Sequence, residues 1–168
     1  MKSWSRRFPA VGLVLLLAAA VAWAAVTLTG DGQDTSLVTR VIDGDTIELE
    51  NGQVVRYLLI DTPETVHPEK PVECFGPEAT ERNRQLVEGR RVRLEKDVTD
   101  RDAYGRLLRY VYIDEAMVQG ELIREGYGYV YSRQPDVKYL RDIAALEREA
   151  REQGAGLWMA CEASPEAP

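Results

Sequence analysis

Asn51-Gly52 stands between two runs of alternating residues, Thr46 to Glu50 and Val54 to Tyr57, and no other short signal restricts this chain as much. An Asn-Gly pair accommodates the positive φ values of a two-residue hairpin turn. The runs on either side therefore read as antiparallel neighbours, with Ile47 and Leu49 on one face and Thr46, Glu48 and Glu50 on the other. Val38, Val41 and Ile42 add an earlier strand that leads into Asp43-Gly44-Asp45. Residues 54–60 read as a third strand, in which the apolar run Tyr57-Leu58-Leu59-Ile60 implies burial on both faces. Three sequential strands make a meander.

Pro63, Pro68 and Pro71 exclude regular structure between Asp61 and Gly76, and a loop of that length usually carries function. Pro77 suits the first turn of a helix that runs through Ala79, Leu86 and Val87 and stops at Gly89. Strands at 92–98 and 107–113 flank a polar turn at 99–105, which brings the count to five. A short helix over 116–125 is capped by Gly126, and Tyr127 to Tyr131 is extended. A last helix starts near Asp136 as N-cap and buries Tyr139, Ile143, Leu146 and Ala150 on one stripe. Gly156-Leu157-Trp158 returns the chain to the core. This order predicts an α+β, mainly β fold: a five-stranded Greek-key barrel of the OB type with about three helices.

The chain opens with Lys2, Arg6 and Arg7, an uncharged run over 8–26, and Ala22-Trp23-Ala24, which fits a small-x-small cleavage site. Residues 1–26 read either as a cleaved signal peptide or as an uncleaved N-terminal membrane anchor. Both place the remainder outside the cytoplasm, secreted, periplasmic or membrane-attached through 8–26. Residues 27–36 read as a linker, 37–160 as a single domain and 161–168 as a disordered tail. Cys74 and Cys161 are the two cysteines, and an oxidising compartment favours a bridge between them over two thiols. With one histidine, His67, and no CxxC pair, a zinc site is not expected.

The full chain carries a net charge of −7, and an exported form lacking the three cations of the start carries −10. Bulk charge therefore does not draw a polyanion to this domain. Phosphate chemistry needs either a local group of arginines or a metal that inverts the sign of the site. Asp45 precedes the second strand, Asp61 ends the third and Glu64 follows three residues later. In a meander such positions can converge at one sheet edge as an oxygen-rich pocket suited to Ca²⁺, while Asp43-Gly44-Asp45 by itself reads equally as a tight turn. Arg56 lies inside an apolar strand, where a charge requires an anionic partner. Arg106 follows the turn Tyr104-Gly105, from which a side chain can reach over a barrel mouth.

Three blocks, 41–46 (Val-Ile-Asp-Gly-Asp-Thr), 56–65 (Arg-Tyr-Leu-Leu-Ile-Asp-Thr-Pro-Glu-Thr) and 102–106 (Asp-Ala-Tyr-Gly-Arg), look in order and spacing like the signatures of the staphylococcal nuclease family. The resemblance extends through His67-Pro68, Glu73 to Ala79, Met117-Val118 and Leu157-Trp158. It implies Asp45 and Asp61 as side-chain calcium ligands, with Thr62 adding its backbone carbonyl. It also implies Glu64 as general base toward water, Arg56 and Arg106 on the phosphate, and Tyr104 and Tyr131 near the bound base. The activity implied is calcium-dependent hydrolysis of phosphodiester bonds in single-stranded or loosened DNA and RNA with low sequence specificity, by a monomer without an obligate protein partner. The alternative is a catalytically silent module of the same fold that binds nucleic acid or protein. Ala103 stands where the best-known member has a lysine, which leaves the preference between DNA and RNA open.

Overall fold

A computed structural model of the chain describes residues 34–65 and 71–161. The leader or anchor (1–26), most of the linker, His67 and residues 162–168 lie outside the described residues. Strand β1 (Thr35–Val41) pairs antiparallel with β2 (Thr46–Leu49), and β2 with β3 (Val54–Tyr57), around the Asn51-Gly52 turn. β1 also pairs antiparallel with β5 (Arg91–Glu95), and β5 with β6 (Leu107–Ile113). A parallel pairing of β3 with β6, Val55 opposite Leu107, joins the two ends of this row. The five strands form the closed barrel that the sequence implies.

The registers explain the core. Val38, Ile47, Val55, Val92 and Val111 come from the five strands in turn, and each is fully buried. Helix α1 (Gly76–Val87) begins with Pro77 in its first turn and ends before Gly89, burying Ala79 and Val87. Helices α2 (Val118–Arg124) and α3 (Leu140–Glu152) pack together, and Leu122, Ile123 and Ile143 lie in the buried core. A single turn, α4 (Leu157–Ala160), makes four helices among the described residues where about three were expected. Two-residue strands complete the set: β7 (Ala116–Met117) beside β6, and β4 (Ile60–Asp61) beside β8 (Tyr129–Val130).

Four expectations are corrected. The third strand does not run from 54 to 60. Leu59 adopts φ 66°, a left-handed conformation costly for a residue with a Cβ, and the chain turns there so that Ile60–Asp61 pairs with β8 instead. β1 begins at Thr35, inside the stretch read as linker, because Thr35 and Ser36 pair with Arg93 and Val92. The helix read at 116–125 starts at Val118, since Ala116 and Met117 are taken by pairing with β6. Asp136 does not cap α3, which starts at Leu140 after Tyr139. Its Oδ1 accepts instead from the backbone N–H groups of Val98 (3.0 Å) and Thr99 (2.7 Å).

Cys74, just before α1, and Cys161, at the end of α4, are joined as a disulfide with their Cα atoms 6.0 Å apart.

Candidate functional site

The turn between β1 and β2 is tight because Ile42 and Asp43 both donate their N–H to the carbonyl of Thr46, while Oδ1 of Asp43 accepts from the N–H of Asp45. Gly44 lets this turn lie against Thr62. A Cβ at position 44 would stand 2.5 Å from Thr62 Oγ1 and 2.8 Å from its Cβ. Thr62 in turn donates its N–H (3.0 Å) and its hydroxyl (3.2 Å) to Oδ2 of Asp45. The contact therefore fixes Asp45, which is only 4% exposed, against the exit of β4.

Arg56 is the hub. Its Nε lies 3.0 Å from Oδ1 of Asp45, and its Nη2 donates to Oδ1 of Asp61 at 2.5 Å. Nη1 donates to the carbonyls of Tyr57 (2.6 Å) and Ile60 (2.7 Å), which the bend at Leu59 turns toward it. The planar fork thus satisfies two backbone acceptors and two carboxylates at once, as an ammonium could not. Asp102 shapes the turn before β6: Oδ1 accepts from the N–H groups of Tyr104 and Arg106, and Oδ2 from Nε of Arg106 at 2.6 Å. Arg106 keeps its Nη groups to offer a ligand, and its guanidinium sits 5.5 Å from the centre of the Tyr104 ring. Tyr104 is 87% exposed, and Tyr131 is 47% exposed.

Asp43, Asp45, Arg56, Asp61, Thr62, Glu64, Tyr104, Arg106 and Tyr131 line one cavity of about 720 Å³. Every residue assigned to metal, phosphate or base from the sequence faces this one space. Glu64 stands at its rim, where the N–H of Thr65 donates to Oε1 and the N–H of Glu64 itself donates to Oε2 of Glu73 (both 2.9 Å).

Sequence reasoning passed over Asp43, Glu73, Asp102 and Tyr129, which also line the cavity. Asp43 shapes the turn by accepting the N–H of Asp45. The structure adds that burial first, and the neighbouring Asp45 carboxylate second, push its pKa up to about 7. Burial also raises Asp61, against the opposing pull of Arg56. The missed signal was the spacing of two carboxylates across a single glycine, which can serve a turn and a charged pocket together.

The carboxylates of Asp43, Asp45 and Asp61 line this cavity beside the Arg56 guanidinium, and burial raises the pKa of both Asp43 and Asp61. Such crowding of oxygen donors is what a hard divalent cation relieves. Among the described residues, no three His, Cys, Asp or Glu side chains are grouped to hold an ion by themselves. The donor set available to such an ion is the carboxylates of Asp45 and Asp61, which line the cavity together. It contains oxygen only and does not suit a soft metal.

The sequence model of the family described as staphylococcal nuclease homologue matches residues 54–160. That stretch holds Arg56, Asp61, Thr62, Glu64 and Arg106, while Asp45 precedes it. The SPbeta prophage-derived endonuclease YokF of Bacillus subtilis (strain 168) is 46% identical over 124 residues, covering 71% of this chain and 42% of YokF. Endonuclease YncB of the same strain is 45% identical over 124 residues, covering 71% of this chain and 59% of YncB. The chain therefore spans about half the length of these two relatives. The thermonuclease of Staphylococcus hyicus is 32% identical over 161 residues, covering 88% of this chain and 95% of the thermonuclease.

Proposed function

This chain belongs to the staphylococcal nuclease family, and from that premise we infer that it is a calcium-dependent nuclease. It hydrolyses phosphodiester bonds of single-stranded or loosened DNA and RNA with low sequence specificity, as an exported monomer. The leader over 1–26 is either cleaved or retained as an anchor. The observation that carries this reading is the convergence of Arg56, Arg106 and Glu64 with the carboxylates of Asp45 and Asp61 on one cavity, in a domain otherwise acidic.

A phosphodiester carries a negative charge that repels hydroxide, so hydrolysis requires both charge neutralisation and a water made nucleophilic in place. Asp45, Asp61 and the Thr62 carbonyl would hold a calcium ion, which would supply positive charge against the phosphoryl oxygens and lower the pKa of water. Arg56 and Arg106 donate to those oxygens from two sides, and both stay charged as negative charge accumulates on phosphorus. Glu64 accepts the proton of the attacking water. Tyr104, whose ring is largely exposed beside Arg106, offers a face on which a base can stack without regard to sequence.

The test is release of acid-soluble fragments from heat-denatured DNA by the purified protein, with calcium and with chelator, beside Glu64→Gln. Calcium-dependent cleavage that falls by about 10²–10⁴ in the variant supports the assignment of Glu64. A folded, calcium-loaded protein that cleaves nothing overturns the nuclease reading in favour of a silent binding module.

A further inference from the structure

Glu64 is a loop residue, and a general base on a loop needs something to hold it still. Its backbone is clasped from both sides by Glu73. The N–H of Glu64 donates to Glu73 Oε2 and the N–H of Glu73 donates to the Glu64 carbonyl, each at 2.9 Å. Glu73 is pinned in turn by the three residues that follow it. Cys74 is bridged to Cys161, which is itself buried at the end of α4. Phe75 stacks on Tyr127 with ring centres 5.4 Å apart. Gly76 lies so close to the loop that a Cβ there would stand 2.7 Å from Thr65 Cγ2 and 3.0 Å from the Glu64 carbonyl oxygen. The chain beyond is secured as well, because Leu157 of α4 donates its N–H to the Gly126 carbonyl at 2.9 Å.

We propose that Glu73 is a positioning residue for Glu64 and that the Cys74–Cys161 disulfide anchors it, so that this bridge serves the rate of reaction as well as stability. The inference rests on the role given to Glu64 above. The residues assigned to phosphate, Arg56 and Arg106, are held by Asp45, Asp61 and Asp102 and not by this clasp. Loosening the clasp therefore lowers kcat and leaves KM in place, since a small misplacement of a reacting group costs rate steeply.

The experiment compares the full chain with Cys74→Ser/Cys161→Ser, Glu73→Ala and Glu73→Gln. It measures kcat and KM on heat-denatured DNA with calcium, and hydrogen exchange of the Glu64 amide by NMR. In the double serine variant and in Glu73→Ala, kcat falls about tenfold or more, KM holds and the Glu64 amide exchanges faster. Glu73→Gln still presents a carbonyl oxygen to the Glu64 N–H and keeps most of the rate and the protection. Wild-type kcat and protection in both the folded double serine variant and Glu73→Ala overturn the proposal, and so does Glu73→Gln as damaged as Glu73→Ala, which would assign the effect to charge. If the serine pair does not fold, the two Glu73 variants decide the positioning role with the bridge intact. A wild type that cleaves nothing defeats the nuclease reading alone, because amide exchange still reports whether the clasp holds Glu64.

Discussion

The hydroxyl of Tyr57 donates to Oδ1 of Asn83 at 2.9 Å, and neither side chain meets solvent appreciably. Asn83 passes the connection on, since its Nδ2 donates to the carbonyl of Asp43 at 2.9 Å. One buried amide on α1 thus ties β3 to the turn that carries Asp43 and Asp45. Asn83→Ala leaves a hydroxyl and a carbonyl without this partner, and is expected to cost about 2–4 kcal/mol at roughly 1–2 kcal/mol per orphaned group. Urea denaturation measures the loss, and an unchanged midpoint would show that water replaces the amide.

Arg56→Lys is expected to fold less stably and to cleave about 10²–10³-fold more slowly, because one ammonium cannot span two carbonyls and two carboxylates and still grip phosphate. Arg106→Lys keeps the ion pair to Asp102 but loses the fork, so its defect should lie in turnover with smaller loss of stability. Kinetics beside thermal melts separate the two. The Arg56 side chain is 12% exposed and that of Arg106 32%, so equal loss of stability in both variants would contradict this account.

Gly44→Ala drives a methyl group into Thr62, whose branched side chain has little room to give. The turn and the exit of β4 must then separate, and Asp45 and Thr62 move apart with them. Calorimetry should show calcium affinity reduced about tenfold or more, comparable with the loss of a supporting contact at a metal site. A Gly44→Ala protein with wild-type calcium binding would mean that the two segments shift together.

Asp136 reports on pH. Burial raises its pKa, but the hydrogen bonds from Thr99 and Val98 outweigh burial, and the group ends below the ordinary carboxylate range. A lowered folded pKa means that its stabilisation is complete above the unfolded value of about 3.9 and is lost as pH falls through the folded value. Asp136→Ala should cost about 1–3 kcal/mol at neutral pH. The gap from wild type should close only in acid below about pH 4. Urea midpoints from pH 7 down to pH 3 test this, and a gap that already closes near pH 6 would contradict it.

The barrel was legible because its strands announce themselves locally: alternation around Asn51-Gly52 set the first hairpin, and apolar runs set β5 and β6. What escaped was non-local. The run from Tyr57 to Ile60 is equally apolar whether it continues straight or bends at Leu59, and only the partner strand at Tyr129–Val130 decides between them. Asp136 sits where an N-cap is expected, yet its donors come from Val98 and Thr99, far away in sequence. For the site, an arginine inside an apolar strand signalled anionic partners, and Asp45 and Asp61 are those partners. Asp102 and Glu73 gave no such signal, since an acidic residue beside a turn or in a loop is ordinary until the groups it orients are known.

The parallel pairing of β3 with β6 has a consequence for the life of the chain before it is complete. Arg56 and Asp61 emerge early in synthesis, whereas Arg106 and the strand that closes the ring emerge much later, and the two halves cannot meet until both exist. A nascent chain therefore carries Arg56 without Arg106 and none of the enclosed cavity. Assembly of the site therefore waits on the synthesis of β6, the last strand of the ring to be made.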